Sequence, residues 1–264
     1  MLRTKPPRID IERLQHTQAK VIHRRGSDRQ VLEHEGLRWV SLNDGSIASM
    51  MLLNEPAYPL LEYIKGLLCC LLFSPRPGSL LNLGLGCGSI ERFVLSQLPD
   101  IALVTVEIDP LMIELSRDFF YLPASHPVSL DSAERFLKKN QQKFDIVLCD
   151  IHLKRGTATP LRTLSFYQDA AQALTKEGVL ALNLLPSTEA EMVDILLKIR
   201  RVFPWVILYD VAAVENILLY CSTSPLPNNP ILTSRAKNLH QRTGIDLSHI
   251  CKQLIWLPES MSKR

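Results

Sequence analysis

Short apolar runs alternate with helix-length stretches through the middle of this chain, and that alternation leaves few architectures open. Leu80–Leu85, Leu103–Ile108, Phe144–Cys149, Val179–Leu185, Val206–Val211 and Ile217–Cys221 read as buried strands, and a shorter run closes at Ser129–Asp131. Between them Ile90–Leu98, Pro110–Phe120, Ala133–Asn140, Ser165–Leu174 and Thr188–Val202 read as helices. Strands joined through helices need crossover connections, which predicts an α/β fold with a doubly wound, mostly parallel, seven-stranded sheet and helices on both faces. Val206–Val211 and Ile217–Cys221 follow each other too closely for a helix, so they are expected to pair antiparallel at the sheet end.

The rest of the chain divides around this body. Residues 1–28, which include Arg3, Lys5, Arg8, Arg13, Lys20, Arg24 and Arg25, read as a flexible basic arm. Residues 29–58 read as a small β-hairpin module, in which Arg29–Glu35 and Leu37–Leu42 turn at Glu35-Gly36 and Asn43-Asp44-Gly45 closes the second run. Residues 59–224 form the main domain, opening with a helix over Pro59–Phe73, and 225–264 a helical extension behind the linker Pro225–Pro230. The 264 residues carry a net charge of only +3, too small to draw nucleic acid by long-range attraction. The longest apolar run, Gly66–Phe73, is far short of the ~20 residues of a membrane span. No export signal is recognised, and six cysteines without metal-ligand spacing read as reduced thiols, so a cytoplasmic protein with no metal is expected.

The chemistry concentrates where the first strand of the main domain runs into Gly84-Leu85-Gly86-Cys87-Gly88-Ser89. Glycines at Gly84, Gly86 and Gly88 remove the Cβ atoms that would hold a ligand off the backbone, and the next helix offers unpaired N–H groups. A tight turn with no ligand is the plain alternative. The G-x-G-x-G spacing departs from the G-x-G-x-x-G of dinucleotide binders. A set of carboxylates at the same sheet edge supports a nucleoside pocket. Glu107, about twenty residues on in Val106-Glu107-Ile108-Asp109-Pro110, is placed to accept from ribose hydroxyls. Asp109 reads as the cap of the helix that opens at Pro110. Asp131, with Ser132 beside it, reads either as a partner for an adenine amine or as a helix cap. Asp150 ends the apolar strand Phe144–Cys149.

This ordered set resembles the class I S-adenosylmethionine-dependent methyltransferase fold, which is Rossmann-like, and within it the spermidine synthase-like (polyamine aminopropyltransferase-like) branch. The similarity runs from about Arg29 to Thr223. It rests on Asp44-Gly45-Ser46-Ile47-Ala48-Ser49 after the hairpin, the glycine turn, Val106–Pro110, Asp131–Leu137, Phe144–Asp150 and Ser165-Phe166-Tyr167. The departures fall on the acceptor side. Polyamine aminopropyltransferases carry a glutamine at the position of Ala48, tyrosine-histidine at Tyr58-Pro59 and an aspartate at Cys87. Where they continue with serine-serine-aspartate-proline, this chain has Ile151-His152-Leu153-Lys154. Loss of two carboxylates beside Lys154 and Arg155 weakens the match to a polycation.

The resemblance implies S-adenosylmethionine or its decarboxylated form as group donor, held by Gly84, Gly86, Gly88, Glu107, Ile108, Asp131 and Ser132. It implies transfer of a methyl or aminopropyl group to a small-molecule acceptor, an amine, with Asp150, Tyr58 and His152 as catalytic candidates. His152 reads alternatively as a solvated loop residue, Tyr58 as packing beneath the hairpin. Cys87 reads as a small filler of the turn before a nucleophile. A catalytically silent nucleoside-binding or assembly module of the same fold is the alternative function. Exposed hairpin edges lead to the expectation of a homodimer.

Overall fold

Seven segments pair into one sheet because each is apolar and is followed by a signal that stops it. A computed structural model describes residues 14, 17–25, 29–43, 45–151, 157–211 and 215–259. Its main sheet contains β5 (Ser79–Leu83), β6 (Ala102–Glu107), β7 (Val128–Leu130), β8 (Phe144–Cys149), β9 (Leu174–Leu184), β10 (Trp205–Asp210) and β11 (Ile217–Ser222). A two-residue strand, β12 (Ile255–Trp256), adds an eighth. The order is β12-β10-β11-β9-β8-β5-β6-β7. β5 to β9 run parallel, whereas β11 pairs antiparallel with both β9 and β10. Strand order therefore reverses between β5 and β8, and it is outside the carboxyl ends of such neighbours that α/β sheets open a crevice.

Helices α1 (Glu62–Leu68), α2 (Ser89–Gln97), α3 (Pro110–Phe119), α4 (Ala133–Lys139), α5 (Leu164–Ala173), α6 (Glu189–Arg200), α7 (Asn229–Thr243) and α8 (Ser248–Cys251) flank the strands. Their starts are chemically marked. Asp109 accepts from the N–H of Leu111 with Pro110 behind it, and Thr163, Thr188 and Asn228 cap α5, α6 and α7. One face of the sheet buries Leu80, Ile146, Val179 and Leu218 under α1, α2 and α7. The other buries Leu81, Val147, Leu180 and Leu219 under α4, α5 and α6. The C-terminal extension thus belongs to the domain core through Leu232, Ala236 and Leu239. The helix expected over Pro59–Phe73 is α1 followed by a tighter 3-10 turn at Cys69–Leu72. All six cysteines are unpaired and buried, and no described helix is long and apolar enough to cross a membrane.

The N-terminal hairpin is the middle of a larger unit. Strands β1 (Lys20–Arg25), β2 (Arg29–His34), β3 (Leu37–Leu42) and β4 (Ile47–Leu52) form an antiparallel sheet in that order. β1 lies within the stretch read as a basic arm. Its charges concealed a strand that is admissible at an edge, where side chains face water on one side. This sheet packs Val31, Val40 and Met51 against Cys87 of the glycine turn and Met112, Leu115 and Phe120 of α3. Polar ties reinforce the contact. Arg29 pairs with Asp109 at 2.5 Å, and Arg38 donates to the Phe119 carbonyl at 2.7 Å.

Candidate active site

The glycine turn is shaped by what stands beside it. Gly84, at φ +98°, donates its N–H to the Val106 carbonyl at 2.9 Å, and a Cβ there would lie 2.5 Å from the carbonyl oxygen of Asp150. Only glycine permits that approach of the β5 and β8 ends. Gly88 caps α2 in the left-handed region at φ +74°. Gly86, at φ +54°, has no heavy atom within 4 Å of the point where a Cβ would stand, so the middle of the turn is open to a ligand.

Glu107 stands over this opening at the end of β6. One oxygen accepts from the Leu85 N–H and the other from the Asp109 N–H, both at 2.8 Å. Burial raises its pKa, while these amides favour the anion. The carboxylate is thus locked in place with acceptor capacity remaining for a ligand hydroxyl. Ile108, next along the chain, is 68% exposed, and Leu130, which pairs with Glu107 across the β6–β7 register, is 56% exposed, two apolar side chains open at this sheet edge. Ser132, not Asp131, caps α4 by accepting from the Arg135 N–H. Asp131 accepts from the Ser132 N–H at 2.7 Å and from the Arg135 guanidinium.

Asp150 leaves β8 with its N–H donated to the Leu83 carbonyl at 2.9 Å. Its Oδ1 accepts from Asn183 Nδ2 at 2.8 Å, and Asn183 Oδ1 accepts from Asn216 Nδ2, also at 2.8 Å. Asn183 ends β9 and is 1% exposed. A carboxylate accepts only, so it fixes which end of the Asn183 amide faces it, and Asn216 satisfies the other end. The Tyr63 phenol is held neutral, its pKa pushed well up by burial and then by the negative charge of Asp150. Tyr63, Asn183 and Asn216 escaped sequence reasoning. An amide inside an apolar strand, as in Ala181-Leu182-Asn183-Leu184, is the signal that marks Asn183, since a buried amide demands partners.

Cys87 is 1% exposed and burial pushes its thiol up to about 12, although hydrogen bonding to Ser49 and the cations Arg92 and Arg29 oppose that shift. It is no thiolate at neutral pH, which supports the filler reading. Arg92 fastens the turn from below. Its guanidinium donates to the Cys87 carbonyl, to Phe120 at 2.9 Å and to Pro56 at 2.6 Å, and burial lowers its pKa to about 10. Beneath lies a buried polar cluster. Asn82 donates to Gly84 O at 2.9 Å and to Glu91 at 2.6 Å, Thr105 donates to Glu91 at 2.9 Å, and Thr105 meets His126 at 2.9 Å. The Tyr58 ring lies 5.7 Å from the Lys65 ammonium and lines a cavity of about 330 Å³ with Phe93, Ser96, Gln97 and Thr243. Asp44, His152, Lys154 and Arg155 lie outside the described residues.

Comparison with known proteins gives this geometry relatives. A family model described as the spermine/spermidine synthase domain matches residues 70–224. The polyamine aminopropyltransferase of Chromobacterium violaceum is 27% identical over 232 residues, covering 85% of this chain and 88% of that protein. The crystal structure of human methyltransferase-like protein 13 in complex with SAH aligns with a TM-score of 0.64 at 25% identity, over 70% of this chain and 93% of that one. A spermidine synthase in complex with the transition state analogue AdoDATO aligns with a TM-score of 0.66 over 90% of this chain and 84% of that one, and at 19% identity it shows the fold alone.

Proposed function

The chain belongs to the spermine/spermidine synthase domain family, and from that footing we propose that it is a cytoplasmic transferase that moves a methyl group from S-adenosylmethionine to an amine acceptor. One observation carries the choice of donor. The position where polyamine aminopropyltransferases carry an aspartate is a buried, neutral thiol, Cys87, so no carboxylate stands there. A decarboxylated donor tail ends in an ammonium alone and needs a carboxylate there. An intact methionine tail carries its own carboxylate and does not depend on one at that position.

In this reading Gly84, Gly86 and Gly88 give the donor backbone access, Glu107 receives the ribose hydroxyls, Ile108 and Leu130 cover the base, and Asp131 and Ser132 border it. Asp150, braced by Asn183 and Asn216, faces the acceptor. A free alkylamine has a pKa near ~10.4 and attacks only after losing a proton, which Asp150 accepts directly or through water. The nitrogen lone pair then forms the N–C bond as the S–C bond breaks, and the sulfonium leaves as a neutral thioether. Alignment of donor and acceptor supplies most of the acceleration. Aminopropyl transfer is the second reading, favoured by the similarity to a polyamine aminopropyltransferase over 85% of the chain.

Calorimetry with both donors separates the readings. S-adenosylmethionine is expected to bind at least about tenfold more tightly than its decarboxylated form, a difference of roughly 1.4 kcal/mol. The reverse order, with turnover of a diamine, establishes aminopropyl transfer instead. Binding without turnover on any amine leaves the silent nucleoside-binding module.

A further inference from the structure

The amino edge of the main sheet, opposite the candidate active site, holds a cavity of about 610 Å³ that the proposed reaction does not use. It lies between the Pro75–Gly78 turn, the start of β6 and the last turns of α7. Leu72, Leu98, Ile101 and Leu239 provide apolar walls, and four charged groups line it: Arg76, Arg235, Arg242 and Asp100. No ion pair joins any of the four to another described residue.

Arg235 is the informative member. Its Nη1 donates to the carbonyls of Leu72 at 2.8 Å and Phe73 at 2.9 Å. Those bonds fix the plane of a half-buried guanidinium while leaving its other N–H groups without an acceptor among the described residues. Burial without a counter-ion lowers its pKa, the reverse of what a carboxylate partner would do. A rigid, unpaired fork of this kind matches two oxygens of a phosphate or carboxylate. Three guanidinium groups against one carboxylate leave a surplus of two positive charges, the complement of a phosphate monoester dianion. The volume lies in the ~300–1,000 Å³ range of small-molecule sites, and the apolar walls call for an organic body behind the phosphate.

We propose that this cavity is a binding site for a small organic phosphate monoester, separate from the donor pocket. The arginines take the phosphate, the leucine and isoleucine walls take the body, and Asp100 accepts from a hydroxyl or amine on it.

Phenyl phosphate is the probe, titrated calorimetrically into the full chain with S-adenosylhomocysteine in excess so that the nucleoside pocket is filled. Binding is expected, at least tenfold weaker for Arg76→Glu and for Arg242→Glu, both exposed positions whose replacement leaves the melting temperature unchanged. Inorganic phosphate is expected to bind at least tenfold more weakly than phenyl phosphate. Absence of heat with phenyl phosphate at millimolar concentration, or binding indifferent to both charge reversals, overturns the proposal and leaves Arg235 as a strut between α7 and the Cys69–Leu72 turn. Binding that S-adenosylhomocysteine abolishes also overturns it.

Discussion

Asp150 and Glu91 are both carboxylates close to the glycine turn, yet their surroundings give them opposite tasks. Asp150 is part-exposed and braced by an amide, and the proposed reading gives its charge to the acceptor. Asp150→Asn keeps size and most hydrogen bonding while removing that charge. Turnover is expected to fall by roughly 10²–10⁴ with donor affinity unchanged, read from single-turnover rates beside calorimetry. Full activity in the variant removes Asp150 from the chemistry. Glu91 is fully buried, and burial raises its pKa to about 7 against Asn82, Thr105 and Arg92, which favour the anion. A carboxyl whose folded pKa is raised above 4.5 binds its proton more tightly when folded. Its contribution to stability is complete below the unfolded value and is lost as pH rises through about 7. Between those limits about 3 kcal/mol of stability is at stake, at 1.36 kcal/mol per pKa unit. The wild type is therefore expected to lose stability relative to Glu91→Gln between pH 5 and pH 8, measured as paired denaturant midpoints. Parallel midpoints across that range show that Glu91 is not titrating.

At the scale of elements, the β5 turn can be tested with two glycines that both have positive φ but differ in what surrounds them. Gly84→Ala places a methyl 2.5 Å from the Asp150 carbonyl at φ +98°, so it strikes the fold, with an expected loss of about 3 kcal/mol or more in denaturant unfolding. Gly86→Ala meets nothing within 4 Å. It is expected to cost about 1–2 kcal/mol for a left-handed alanine and to weaken donor binding at least tenfold. Equal effects of the two on stability and binding contradict the division between a packed and an open glycine. The parallel strands, their helices and the strand-end positions of Glu107 and Asp150 were legible because apolar periodicity is a local signal. Asp109 was legible as a cap for the same reason. The strand Lys20–Arg25 was not, since four of its six residues are basic or histidine and its partner rather than its composition makes it a strand. Nor were the Tyr63, Asn183 and Asn216 roles, which arise only when α1, β9 and the β10–β11 turn converge on Asp150. Tyr58 reads either as lining an acceptor pocket or as packing beneath the hairpin, and its ring lies 5.7 Å from the Lys65 ammonium of α1.

For the whole molecule, Arg29 and Arg38 tie the smaller sheet to α3 and its end, and Arg92 ties the loop after β4 to the glycine turn, while β1 and β4 remain the terminal strands of the smaller sheet. β1 carries Lys20, His23 and Arg24, so like charges oppose self-pairing through it, and Ser49–Leu52 of β4 are buried within the chain, which leaves the Ile47–Ala48 end of that edge to a second copy. A homodimer is expected by sedimentation equilibrium at micromolar concentration, and a monomer there refutes it. The strand order also sets a timetable for synthesis. β10 leaves the ribosome before β11, yet its partners are β11 and β12, so it emerges with no neighbour to accept it. The amide that braces Asn183 comes from Asn216, which arrives later still. A nascent chain halted at residue 210 therefore has its glycine turn, Glu107, Asp150 and Asn183, but neither a seat for its last strand nor the Asn216 amide that holds Asn183.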